Sequence, residues 1–142
     1  MKVVLIADTH FGARNENREI SNYFNKFLKT IFFPYLIEHD IKNLIHLGDL
    51  VDKRRTINYV ILNNIRKNFI SPLFDLGIDS HFIVGNHDTF YKNTNSINAI
   101  TELYGNESFI NIYDNFTTTS MFMNDLNIDM IPWICNENKD EI

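Results

Sequence analysis

A single cysteine, Cys135, leaves no internal disulfide available and points to a reducing, cytoplasmic compartment. Its setting in "MIPWIC" reads as a small buried hydrophobe rather than a nucleophile. No apolar run approaches the roughly 20 residues needed to cross a bilayer. The stretch "MKVVLIADTH" does not resemble a secretory leader, because it places the carboxylate of Asp8 where a leader's apolar core would have to continue. Basic residues are in the minority, 13 against 18 acidic ones, for a net charge of −5. The chain therefore lacks the basic surplus of proteins that hold nucleic acid by bulk charge. Two divalent cations would add +4 and bring −5 to −1, so an acidic metalloprotein is still able to meet a phosphate backbone. Low-complexity tracts, internal repeats and linkers are also missing, and 142 residues fit one domain.

What the chain has in quantity is apolar and aromatic: 44% hydrophobic residues, with 12 Phe and 6 Tyr. The run "KVVLIA" predicts a buried strand. Apolar residues at Ile20, Tyr23, Phe24, Phe27, Leu28, Ile31, Phe32, Tyr35 and Leu36 follow the stripe of a long amphipathic helix, with Pro34 expected to kink it or begin a new turn. "NLIHL" predicts a second strand. A second helix follows through Ile57, Val60, Ile61, Ile65 and Phe69, disturbed near Pro72 and closed by Gly77. "DSHFIV" predicts a third strand, and a short helix is expected over Ser96 to Tyr104. "SFINIYD", "TTSMFM" and "NIDMIPWI" predict further strands. The order is βαβαβ plus extra strands, an α/β chain whose first strands are parallel and sandwiched by helices. The tail "CNENKDEI" has helix-like character and no closing signal, so the domain over residues 1–142 is expected to be C-terminally incomplete.

Each of the three first strands ends in a polar cluster: "IADTH", "LGDLVD" and "VGNHD". Parallel strands send their C-terminal ends to one edge, where open α/β sheets place ligands. From Asp8 to Asp49 is 41 residues and from Asp49 to Asn86 is 37, about one crossover each. Asp8, His10, Asp49, Asn86 and His87 are thus expected to converge. Carboxylates, imidazole and an amide oxygen form a donor set suited to Mn²⁺, Fe²⁺ or Zn²⁺ rather than to a thiolate site.

The three motifs D-x-H, G-D-x-x-D and G-N-H-D, in this order, resemble the calcineurin-like metallophosphoesterases. Within them, "DTHFG", "GDLVDKRR" and "IVGNHDTFYKN" are similar to SbcD-type DNA repair nuclease subunits, and "IDMIPWICNEN" to bacteriophage recombination-endonuclease subunits. The resemblance implies a β-sandwich core flanked by helices, of which this chain is the N-terminal βαβαβ half. It implies two divalent metal ions, most often Mn²⁺, cleaving phosphodiesters of DNA in double-strand-break repair and recombination. The partners it implies are DNA, an SbcC-type coiled-coil ATPase and a second copy paired through the first helices. The setting is cytoplasmic, in a bacterial host infected by phage.

By the same resemblance Asp8 and His10 bind the first metal, Asp49 bridges both, and Asn86 offers its oxygen to the second. His87 is a proton donor rather than a ligand, Asp88 orients it, and Asp52 steadies its loop or the neighbouring ligands. Arg14, Lys53, Arg54 and Arg55 are candidates for DNA phosphate contacts, while Lys53, Arg54 and Arg55 read equally as a solvated basic turn or partners of Asp52. His46 reads as a satisfied core histidine, His39 and His81 as solvated element ends, Trp133 and Phe122 as core. The family's further Gly-His and Gly-His-x-His histidines have no counterpart here, because His87 is the last histidine. The second metal is left with Asp49 and Asn86, and this stretch by itself is expected to have little nuclease activity. The alternatives are a phosphatase or cyclic-nucleotide phosphodiesterase on the same scaffold, or an inert scaffold module.

Overall fold

A computed structural model of the chain describes residues 2–120 and 127–142. Four short strands pair side by side: β1 Val3–Ile6, β2 Asn43–His46, β3 Asp79–Ile83 and β4 Ile110–Tyr113, all parallel and in spatial order β1-β2-β3-β4. "SFINIYD" thus extends the parallel sheet instead of beginning a separate one. The order never reverses, so crossovers of one hand deliver every helix to the same face. The expectation of helices on both faces is corrected accordingly. Alternation along the strands turns Leu44, Phe82 and Ile110 toward that helical face, while Ile45 and Ile83 face away. The far face is covered by a small antiparallel sheet, β5 Thr117–Thr119 with β6 Ile128–Met130, whose Met130 packs on Ile45 and Ile83.

After a single turn, α1 Ala13–Glu16, the first crossover runs through α2 Arg18–Phe27 and α3 Phe33–Glu38, and the second through α4 Tyr59–Ile65 and α5 Ser71–Asp75. Asn17 and Asn58 cap α2 and α4 by accepting backbone N–H bonds. Neither proline breaks its helix. Each is preceded by a π-helical turn, Leu28–Phe32 before Pro34 and Arg66–Ile70 before Pro72. There the N–H of Phe33 reaches Leu28 and that of Ser71 reaches Arg66, five residues back. The wider turn absorbs the missing proline N–H and its ring. The two turns face one another through Phe32, Phe33 and Phe69, ring centroids 6.3 to 6.5 Å apart. Gly77 closes the second helix at φ +62, as its position predicts.

The third helix, α6 Ala99–Tyr104, begins later than expected because Asn98 caps it, accepting from the N–H of Thr101. The tail after Cys135 forms turns, not a helix. On the first helix Phe24, Phe27, Phe32 and Phe33 pack, whereas Tyr23 and Tyr35 are exposed. His81 is buried inside β3, with Nδ1 3.0 Å from the Tyr113 hydroxyl and Nε2 3.2 Å from Asp79, which corrects its reading as solvated. Cys135 is buried as expected. Phe122 and the end of "TTSMFM" lie outside the described residues.

His46 is fully buried on the helical face, stacked 5.2 Å from Phe82. Its Nδ1 accepts from the Gly48 N–H at 3.2 Å, so Nε2 carries the proton and donates to Thr9 Oγ1 at 3.0 Å. Burial first, and then the neighbouring His10, lower its pKa from 6.5 to about 3. Between those values the unfolded chain binds a proton that the folded chain does not, so stability is full above pH 6.5 and is lost as pH falls. Denaturant titrations from pH 7 to 5 should show the unfolding free energy falling with a slope approaching about 1.4 kcal/mol per pH unit from this group alone. Buried His81, whose pKa is also lowered by burial, adds in the same sense. His46→Gln should flatten the profile by one proton; an unchanged slope would show that His46 is not held neutral.

Candidate metal centre

The chain does not separate after β1 and β2 end. Leu47 N–H still donates to Ile6, Asp8 N–H to Gly48, His10 N–H to Asp49, Phe11 N–H to Leu50 and Asp52 N–H to Phe11, at 2.8 to 3.1 Å. The two loops remain zipped for their whole length, which fixes the spacing of their side chains. The zipper forces left-handed backbone at Asp8, His10 and Asp49, with φ of 53, 40 and 57°. Such conformations cost on the order of 1 kcal/mol or more each, and Asp and His are among the types that tolerate them best.

The third loop is pressed against the second. A Cβ on Gly85 would lie 2.3 Å from the Asp49 backbone nitrogen and Oδ1, and one on Gly48 would lie 2.8 Å from Gly85 Cα. Only glycines allow this approach. Asp88, fully buried, accepts from the N–H of Asp49 at 2.8 Å and of Gly85 at 2.9 Å through Oδ2, and from that of Val51 at 3.2 Å through Oδ1. Burial pushes its carboxyl up to about 6, with the three N–H bonds pulling the other way and the Asp49 charge adding to the rise.

These constraints bring Asp8, His10, Asp49, Asp52 and His87 together. His10 Nε2 lies 3.6 Å from Asp8 Oδ1 and 3.7 Å from Asp49 Oδ2, and its buried Nδ1 has no hydrogen bond, with Asp52 Oδ1 3.5 Å away. Those separations exceed a good N–H···O bond of about 2.7–3.2 Å. The two at Nε2 match neighbouring donors sharing one cation roughly 2.0–2.2 Å from each, while Nδ1, on the opposite side of the ring, faces Asp52. One donor atom each from His10, Asp49 and His87 also lies within a 4.8 Å cluster. The residues present therefore fit a divalent ion. Asn86 sits between Gly85 and His87, both of which touch Asp49.

His87 is held from two sides. Its backbone N–H donates to Asp49 Oδ1 at 2.8 Å, and its ring Nδ1 donates to the Asp52 carbonyl at 2.5 Å. Because a carbonyl only accepts, Nδ1 carries the proton and Nε2 is the nitrogen left for chemistry. The expectation that Asp88 orients His87 is corrected here: the Asp52 carbonyl does so, and Asp88 clasps the loops instead. Lys53 is paired with Glu16 at 3.1 Å. Arg54 lies over the Trp133 ring at 4.9 Å and donates to Thr89 Oγ1, and Arg55 lies over Phe90 at 5.3 Å. Asp52 therefore faces His10 rather than these cations. Trp133 is half-buried, not core, and Arg14 is exposed on a left-handed turn. Sequence reasoning missed the Thr9–His46 brace and the clasping role of Asp88. A histidine two residues before Gly-Asp in "LIHLGD" was the available signal for the first; the second had none.

The calcineurin-like phosphoesterase family model matches residues 1–138. The chain is 34% identical over 142 residues to exonuclease subunit 1 of Enterobacteria phage T4, covering all of this chain and 41% of that protein. It thus spans less than half the length of this relative. A solved structure, the Pseudomonas putida nuclease MPE, aligns at 21% identity with a TM-score of 0.45, over 84% of this chain and 50% of that one.

Replacing Asp88 by Asn leaves one oxygen for two donors and turns an amide N–H toward the Val51 N–H. Unfolding in denaturant should show a loss of about 1–3 kcal/mol, with weaker divalent-ion binding, because Asp49 and Gly85 are no longer clasped. A variant as stable as the parent would show that the clasp is not needed.

Proposed function

Because the chain belongs to the calcineurin-like phosphoesterase family, we propose that it is the catalytic part of a metal-dependent DNA nuclease acting in break repair and recombination. The observation that carries this reading is the convergence of Asp8, His10, Asp49 and His87 on one sheet edge. Identity along the whole chain to a phage exonuclease subunit supports a DNA substrate and a multi-subunit assembly. An SbcC-type ATPase is the proposed partner. A second copy is proposed to pair through the first helices, a reading supported by the exposed Tyr23, Ile31 and Ile37. No helix among the described residues is long and apolar enough to cross a membrane.

Asp8, His10 and Asp49 would hold one divalent ion, proposed to be Mn²⁺, and Asp49 with Asn86 a second. When bound, such ions supply Lewis acidity at the phosphoryl oxygens and a water of lowered pKa. The chain's own work is positional and protonic. The zipped loops fix the carboxylates; Asp49 Oδ1 is anchored by the His87 N–H, and Oδ2, which faces His10, would be offered to an ion. With Nδ1 committed to the Asp52 carbonyl, a protonated His87 gives up its proton from Nε2, toward the oxygen that leaves phosphorus. A phosphatase or cyclic-nucleotide phosphodiesterase would use the same groups. An inert scaffold is favoured by one observation: Asp49 and Asn86 are the candidates for a second ion, and one of them is shared.

Hydrolysis of a small nucleotide set against hydrolysis of DNA separates the nuclease from the phosphatase reading, and calorimetric titration with Mn²⁺ separates both from the scaffold. One ion per chain is expected, because the second site has only Asn86 and the shared Asp49; two would favour the enzyme and none the scaffold. His87→Gln should keep Mn²⁺ affinity while phosphodiester hydrolysis falls about 100-fold or more. Loss of Mn²⁺ affinity instead would move His87 among the ligands.

A further inference from the structure

Three adjacent cations, Lys53, Arg54 and Arg55, follow the loop that carries Asp49, and the structure treats them differently. Lys53 is neutralised by Glu16, whose other oxygen accepts from Asn58. Arg54 and Arg55 have no carboxylate partner among the described residues. They splay onto two aromatic rings, Trp133 and Phe90, at 4.9 and 5.3 Å. A guanidinium stacked by its face keeps its in-plane N–H groups free, which an ammonium does not do. One of those donors of Arg54 goes to Thr89 Oγ1, whose hydroxyl donates to the Asn86 carbonyl.

The backbone beneath Trp133 is firmly held. Trp133 N–H donates to Val84 at 2.8 Å, at the end of β3, and its carbonyl accepts from Asn95 and Asn138. Yet the Trp133 ring is half-exposed, so its mounting serves the surface rather than the core. Phe90 is backed edge-on by Tyr91 at 4.8 Å. Around the metal centre lie the carboxylates Asp8, Asp49 and Asp52, in a chain of net charge −5, and these repel a polyanion. Two preset guanidiniums beside them offset that repulsion and offer bidentate phosphate contacts.

We propose that Arg54 and Arg55, each seated on its aromatic ring, form a two-armed clamp for the nucleic-acid phosphates flanking the one at the metal centre, an inference that rests on the nuclease reading. Trp133 and Phe90 are positioning residues that act through the arginines. Lys53 and Arg14 are outside the clamp.

The test is fluorescence anisotropy of a labelled, cleavage-resistant phosphorothioate oligonucleotide in Mn²⁺, read as log affinity against log salt. On a single strand each lost phosphate contact makes the slope shallower by about 0.7. Arg54→Gln and Arg55→Gln should each do so, and the pair by about 1.4. Lys53→Gln should leave the slope alone. Trp133→Leu, which keeps every charge, should weaken binding about fivefold or more at constant slope, with Trp133→Tyr restoring it. Circular dichroism melts confirm that each variant is folded. A parent slope untouched by either arginine, or moved as much by Lys53→Gln, overturns the clamp alone. Hydrolysis of bis(p-nitrophenyl) phosphate with no oligonucleotide binding by the parent overturns the nuclease reading and the clamp with it.

Discussion

One buried carboxylate decides the geometry of the site. Asp88 is shut off from solvent and has no cationic partner among the described residues, and its charge is answered by backbone N–H groups of Asp49, Val51 and Gly85. Those donors lie in two loops that no regular hydrogen-bond ladder joins. By gathering them, Asp88 brings the end of β3 against the loop after β2, close enough that glycine is required at both 48 and 85. The loop after β2 is in turn zipped to the loop after β1. A displacement of Asp88 would therefore be felt at Asp8, two loops away, although the two side chains share no contact among those described.

The clasp also sets up an electrostatic conflict that a cation relieves. Asp8, Asp49 and Asp52 are held around His10 at distances too long for hydrogen bonds. Left to themselves, carboxylates so placed repel one another, and the left-handed backbone beneath Asp8 and Asp49 adds strain. A divalent ion converts the repulsion into attraction. His46, behind the site, is forced neutral by burial, so it braces Thr9 and Gly48 without adding a positive charge that would compete with the ion.

The parallel strands and the converging clusters were legible in the sequence, because short continuous apolar runs and the crossover spacing are local signals. The candidate donor set was named from residue types at the strand ends, and the role of each member from the family resemblance. Other features depended on what a residue meets across the fold. Pro34 and Pro72 were read as disruptions, since nothing local reveals that a π-turn will absorb each. His81 was taken for a strand end because its partner Tyr113 lies 32 residues away. Asp88 follows His87 directly, so adjacency suggested an orienting pair; the backbone instead turns the two side chains to different partners, the Asp52 carbonyl and the loop amides. The basic triplet gave no hint of its division, which is made by Glu16, Trp133 and Phe90 at distant positions.

The orientation of His87 ties these threads into one constraint on chemistry. Its backbone N–H binds Asp49 Oδ1, so the residue moves with the ligand that faces His10. Its ring Nδ1 binds the carbonyl of Asp52, whose carboxylate faces the other nitrogen of the same His10 ring. The two imidazoles meet edge to face at 4.8 Å. On the proposed function, a phosphate drawn to the site would find His87 and the carboxylates already in register, since one nitrogen of His87 is committed by the backbone. Substituting the side chain of Asp52 would leave its carbonyl, and with it the tautomer of His87, in place. The tautomer of His87 is therefore set by backbone geometry, whereas the charge around His10 is set by side chains, and the two can be altered separately.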